Sequence, residues 1–256
     1  MSQDIGTWAP AIIREPVLLL LGKPCTVKLL DQLQITDGTC LKYAVSKVLG
    51  LGIVLGGCIV KLPQIYKIVK SRSAIGISLL AYIQETIANI ITLAYNLREG
   101  NPFTTYGETL FIGIQNYLIT IMLYMFSGRN FQAFVMAGVL LGFTFALFDS
   151  TWVSQSLLEK LQGATVAMIL SSRASQIYNI WKNKRTGQLS AFTVFNYFFG
   201  TAARLYTTIM EVDDNLMLAC FLLSTIANGI LAFQMIWYWN ADKTTKYKLA
   251  SKKKQL

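Results

Sequence analysis

Long, nearly uninterrupted apolar runs dominate this chain, and nothing else constrains its fold so strongly. A bilayer core asks for about 20 consecutive apolar residues per helix, and about seven runs of that size can be marked out. They are Val45 to Ile68, Ile75 to Leu97, Tyr106 to Phe126, Asn130 to Phe148, Leu158 to Trp181, Ala191 to Met210 and Leu216 to Trp239. The runs are continuous rather than alternating. Helices are therefore the expected spanning form, each satisfying its own backbone.

Composition removes several functions. The chain is 54% apolar and 14% charged, the balance of a membrane protein. It has no histidine, which takes away the commonest general base and metal ligand. Its four cysteines form no CxxC pair, so no zinc site is readable. No nucleophile–base pair stands out, and neither an enzyme nor a cofactor is expected. The net charge of +10 raises nucleic acid as a partner. However, the Lys and Arg residues sit mostly in short loops between apolar runs, where membrane topology accounts for them.

Those loop charges also orient the chain. Lys67, Lys70 and Arg72 follow the first run, Arg129 the third, and Lys182, Lys184 and Arg185 the fifth. Lys243, Lys246, Lys248 and Lys252 to Lys254 follow the seventh. The alternate loops carry Arg98-Glu99, then Asp149 with Glu159-Lys160, then Glu211, Asp213 and Asp214. The positive-inside rule puts the first set, with the tail, in the cytosol and the N-terminus on the other side. Residues 1–44 hold an apolar patch that Arg14-Glu15 and two prolines interrupt, leaving the run Val17 to Leu21. That run is too short for a signal-peptide core, so an ordered or surface-lying segment is expected. Residues 240–256 form a basic tail, in which Lys253-Lys254-Gln255-Leu256 matches the KKxx retrieval pattern of the endoplasmic reticulum. A generic basic tail near anionic lipid is the alternative.

Two stretches repeat. "KLPQIYKIVKSRSAIGIS", Lys61 to Ser78, and "RASQIYNIWKNKRTGQLS", Arg173 to Ser190, share Gln-Ile-Tyr-x-Ile-x-Lys and end on Ser. An offset of 112 residues pairs Gln64 with Gln176, Tyr66 with Tyr178, Lys70 with Lys182, Glu99 with Glu211 and Asn116 with Asn228. The chain thus reads as two parallel three-helix units, residues 45–126 and 158–239, joined by a linker helix at 130–148. This 3+1+3 all-α arrangement places any substrate between the halves near the midplane.

With Pro-Gln at the end of the first run, this organisation resembles the PQ-loop superfamily, which includes SWEET sugar transporters and cystinosin. "SKVLGLGIVLGGCIVKLPQIYKI", "TGQLSAFTVF" and "YWNA" narrow the resemblance to the mannose-P-dolichol utilization defect 1 family, over most of the chain from about Cys25 onward. The resemblance implies an endoplasmic reticulum membrane protein needed for the use of dolichol-phosphate-mannose, and of dolichol-phosphate-glucose, in N-glycan, O-mannosyl and GPI-anchor synthesis. The implied partners are a dolichol-linked sugar lipid and mannosyltransferases. Three functions stay open. The chain binds, presents or translocates the lipid-linked sugar; or it is an adaptor for mannosyltransferases; or it is a SWEET-like carrier of a small soluble substrate.

The candidate residues follow from local chemistry. Pro63 lacks an amide hydrogen and loosens its helix, and Gln64 can bond the backbone so freed. Gly76 permits a sharp re-entry and Ser78 can cap the next helix. The second copy has Ser175 before Gln176, with Gly187 one position early, which weakens a symmetric two-hinge scheme. Lys61, Glu85, Arg173 and Arg204 are ionisable groups inside apolar runs and should face the interior. Glu85 pairs with Arg204 or Lys61, or else the basic groups meet a phosphate-sugar head, for which the planar fork of Arg is suited. Asn116 with Asn228, expected to face each other, and Gln84 with Asn196 are matched polar pairs for sugar hydroxyls or interhelical bonding. Cys25 and Cys40 precede the first run, on the side this topology makes the oxidising lumen, where a disulfide is expected. Cys58 and Cys220 lie in runs and should be free.

Overall fold

A computed structural model describes residues 10–34, 36–74, 77–184, 186 and 191–239, less the side chains of 192 and 193. Gly76, Gly187, Ser190 and the Lys253-Lys254 pair lie outside the described residues. Every regular element described is helical: α1 Ala11–Thr26, a π-helical stretch Val27–Asp31, α2 Gly38–Ile59, α3 Leu62–Ser71, α4 Leu79–Arg98, α5 Phe103–Phe126, α6 Asn130–Phe148, α7 Gln155–Asn183, α8 Ala191–Glu211 and α9 Asn215–Trp237.

Four stretches are long and apolar enough to cross a membrane: Gly38–Ser71, Phe103–Phe126, Asn130–Phe148 and Asn215–Trp237. The helices α4, α7 and α8 are more polar, since they carry Glu85, Arg173 and Arg204. Local chemistry sets the ends. Asp37 caps α2 by accepting from the Thr39 and Cys40 amides, Ser78 caps α4 through Ala81, Ser154 caps α7 and Asp214 caps α9. The first apolar run is not one continuous helix from Val45 to Ile68. It begins at Gly38 and breaks between α2 and α3 at Lys61.

Packing follows the repeat. Within each unit the third helix lies between the other two: α5 packs on α2 and α4, and α9 on α7 and α8. Across the units α2 packs on α8 as α4 packs on α7. Following the packed neighbours gives a closed ring, α2–α5–α4–α7–α9–α8. The helix α6 sits outside it against α4 and α5. The buried cores repeat as well. Ile68, Ile119 and Leu123 form one cluster, and Ile180, Leu231 and Met235 form the other, each member 112 residues from its counterpart.

The described part of the N-terminal segment, from Pro10 onward, is helical and tied to α2. A disulfide joins Cys25 to Cys40, leaving Cys58 and Cys220 free. Arg14 pairs with Asp31 at 3.1 Å and Lys28 with Asp37 at 2.6 Å. The Lys28 ammonium and the Cys40 amide hold the Asp37 carboxyl below the usual carboxylate range.

Candidate functional site

The break between α2 and α3 is built from three residues. Helical bonding runs up to Val60 N donating to Gly56 O and resumes with Ile65 N donating to Lys61 O, both at 3.0 Å. An unbroken helix would bond Lys61 N–H to Gly57 O. Here the Gln115 side chain from α5 enters the gap instead. Its Oε1 accepts from Lys61 N at 3.0 Å, and its Nε2 donates to Gly57 O at 2.7 Å and to Phe111 O at 2.9 Å. Gln64 was expected to bond the backbone freed by Pro63; the groups left open at this break, Lys61 N–H and Gly57 C=O, are instead met by Gln115, because α5 crosses α2 closely at this level. A Cβ on Gly57 would stand 2.8 Å from Glu108 Cα, so only glycine admits that approach. Pro63 sits in the first turn of α3, where its missing N–H is of little consequence. The second unit has no such break: α7 runs unbroken through Ser175 and Gln176.

From this break Lys61 reaches across to α4. Its ammonium lies 2.8 and 3.1 Å from the two Glu85 oxygens and 5.2 Å from the Tyr82 ring centroid. Lys61, and not Arg204, is therefore the partner of Glu85.

Glu85 lines an open cavity of about 750 Å³ bordered by residues of α4, α7, α8 and α9, from both units. That volume falls in the usual range of small-ligand sites, about 300–1,000 Å³. Its polar lining comes from Gln84, Asn89, Arg173, Gln176 and Asn228, set among apolar groups such as Met168 and Leu231. Arg173 stacks 4.4 Å from the Tyr197 ring centroid and donates to Gln176 Oε1 at 3.2 Å. Among the described residues no carboxylate lies within ion-pair distance of it. The Asn89 Nδ2 is buried without a partner on the cavity wall. Toward the other end the units close. Thr92 donates to Gln162 at 3.0 Å, Tyr95 donates to Asp214 at 2.7 Å, and Ile91, Ala94, Leu158 and Met217 pack together.

The remaining candidates separate. Arg204 is buried away from the cavity, in the α2–α5–α8 seam. It pairs with Glu108 and donates to Thr104 O at 2.8 Å. Neither Glu85 nor a head group in this cavity meets it. Beside it, Lys47 pairs with Glu211 at 2.7 Å, and Ser46 and Thr104 donate to the same carboxylate. Asn228 lines the cavity and donates weakly to Thr201 at 3.5 Å. Asn116 does not line it. That amide is fully buried in α5, with neither atom hydrogen-bonded, next to the Thr86–Thr120 contact. Asn196 lies on the exposed face of α8, off the cavity lining, while its repeat mate Gln84 is on it.

The described residues are all-helical, with four stretches apolar enough to cross a membrane and a cavity lined from both halves of the chain, and the comparisons add what the chain is similar to. The PQ loop repeat profile matches residues 45–105 and 157–217, two segments in the same 112-residue register as the buried cores. The chain thus carries two PQ-loop repeats. It is 28% identical over 175 residues to human "Solute carrier family 66 member 3", covering 68% of this chain and 85% of that relative. No solved structure matches the chain.

Proposed function

We propose that this chain is a seven-span endoplasmic reticulum membrane protein, arranged 3+1+3, that handles dolichol-phosphate-mannose by binding its phosphate-sugar head in the central cavity. The observation that carries the reading is Arg173. It faces the cavity with no carboxylate beside it among the described residues, while Glu85 is already neutralised by Lys61. The cavity therefore favours an anion, and a guanidinium held by a neutral amide and a ring, with donors to spare, suits a phosphate. The amides of Gln84, Asn89, Gln176 and Asn228 supply donors and acceptors for sugar hydroxyls. The resemblance of Ser46 to Ile68 and Thr186 to Phe195 to the mannose-P-dolichol utilization defect 1 family favours the same lipid. Loop charges favour a lumenal N-terminus and a cytosolic C-terminus.

A second reading, carriage of a soluble solute, is favoured by the solute carrier name of the human relative and by the cavity's size. Reconstituted vesicles separate the two. A labelled short-chain dolichol-phosphate-mannose should bind the wild type and redistribute between leaflets, and Arg173→Gln should lose both. Equal binding of a phosphate-free dolichol control, with uptake of a free sugar instead, would replace the lipid reading by the solute one.

A further inference from the structure

We infer that Gln115 is the positioning residue of the cavity: by splicing the α2–α3 break it fixes Lys61 where its ammonium neutralises Glu85. The inference rests on the reading of the cavity as a site for an anionic head group, and it names the residue that sets the cavity's charge.

The two groups that Gln115 holds apart, Lys61 N–H and Gly57 C=O, are the pair that bond each other in an unbroken helix. The break therefore has two self-consistent states. In one, the Gln115 amide sits between the two groups. In the other, it withdraws and they bond directly. Pro63 helps to end α2, since its missing N–H and its ring both bear on the Ile59 carbonyl, but it touches neither of these two groups. Gln115 bonds both of them, is 6% exposed and also donates to Phe111 O. A buried amide held at both ends is costly to remove, because its partners would be left bare.

The spliced state carries a charge consequence. Lys61 is the residue at the break, and the same residue supplies the ammonium on Glu85. Closing the break moves the Lys61 backbone toward the α2 axis and releases that ammonium. Glu85, with 43% of its side chain exposed, then presents a bare carboxylate on the wall it shares with Arg173. A bare carboxylate repels an incoming phosphate and competes with it for the guanidinium. The second unit holds no equivalent, since α7 is unbroken and the residue 112 positions after Gln115 is Ala227.

The test uses the full chain in nanodiscs, with Cys58→Ala and Cys220→Ala and nitroxide labels introduced by Leu55→Cys and Val69→Cys. Both label sites are exposed, one on each side of the break. Without any ligand, Gln115→Leu should shift the inter-label distance distribution, and Gln115→Glu, which keeps the acceptor and loses the donor, should shift it less. The Kd for a short-chain polyprenyl-phosphate-mannose probe should rise by roughly tenfold in Gln115→Leu. Adding Glu85→Gln should recover most of that loss, which a purely structural defect would not allow. An unchanged distance distribution in Gln115→Leu overturns the inference. So does a weakened affinity that Glu85→Gln leaves unrepaired. If the wild type ignores the probe while the distance still shifts, the head-group reading fails and the splice stands.

Discussion

Lys47 and Glu211 come from different repeats and lie 2.7 Å apart, whereas the residues at the matching positions of the other seam, Glu159 and Glu99, are both carboxylates. The pseudo-symmetry of the ring equates the α2–α8 contact with the α4–α7 contact. One seam is therefore locked by opposite charges and the other is not.

The lock is testable as stability. The Glu211 side chain is 1% exposed and accepts from Lys47, Ser46 and Thr104. Lys47→Gln leaves a buried carboxylate short of its cation, which costs about 3–5 kcal/mol. Thermal unfolding in detergent should show a large fall in Tm, and adding Glu211→Gln should restore much of it. A Lys47→Gln protein as stable as the wild type would mean that the seam is held by packing alone.

Arg204 and Arg173 should part company in the same assay. Arg204 is 4% exposed and pairs with Glu108, so Arg204→Gln should destabilise by about 3–5 kcal/mol. Glu108→Gln should repair part of that loss. Arg173 is half-buried on the cavity wall with no acidic partner among the described residues. Arg173→Gln should stay within about 1 kcal/mol of wild type, as surface-like substitutions do, while losing binding of the phosphate lipid. A stable Arg204→Gln with a collapsed Arg173→Gln reverses the assignment.

Much of this was legible in the sequence. The 112-residue register could be read from the shared offset of Gln64 and Gln176, Lys70 and Lys182, Glu99 and Glu211, and Asn116 and Asn228, because polar matches in apolar runs are informative. It reappears in the PQ-loop matches and the buried cores. The intramembrane charges Lys61, Glu85, Arg173 and Arg204 were visible for the same reason. What sequence reasoning missed comes from α5. Glu108 is an ionisable residue inside the run Tyr106 to Phe126 and could have been flagged by its cost in lipid. Gln115 carried no signal: it has no polar repeat mate, and its role depends on how closely α5 crosses α2 at Gly57. Helix pairing of that kind is a tertiary fact, and it also decided that Glu108, rather than Glu85, neutralises Arg204.

The N-terminal clamp predicts a pH effect. The folded Asp37 carboxyl is held below its ordinary value by the Lys28 ammonium and the Cys40 amide. A depressed carboxylate contributes stability that is fully present above its unfolded pKa of about 4 and is lost as pH falls through the lower folded value. Protection factors for hydrogen exchange of residues 11–31, corrected for the intrinsic pH dependence of exchange, should therefore be high at neutral pH and fall below about pH 4. Asp37→Asn should remove most of that pH response. Protection that stays flat into acid would show that the disulfide alone secures the segment.

The unequal seams predict which side of the ring moves. The α4–α7 seam has a cavity along one half. The other half is closed by an apolar cluster, by Tyr95 donating to the Asp214 carboxylate at 2.7 Å and, at the cavity's edge, by Thr92 donating to Gln162 at 3.0 Å. Separating each hydrogen-bonded pair costs about 1–3 kcal/mol. Separating Lys47 from Glu211 and Arg204 from Glu108 means breaking two buried ion pairs, at several kcal/mol each. Alternating exposure of the cavity should therefore open α4 from α7 and leave α2 on α8. A disulfide placed across the first seam by Thr92→Cys with Gln162→Cys should abolish lipid redistribution, and reductant should restore it. A bifunctional thiol reagent long enough to join Lys47→Cys to Glu211→Cys across the second seam should leave redistribution intact in protein that remains folded. If only the second cross-link blocks redistribution, the ion-paired seam is the gate and the charge asymmetry marks the moving side rather than the fixed one.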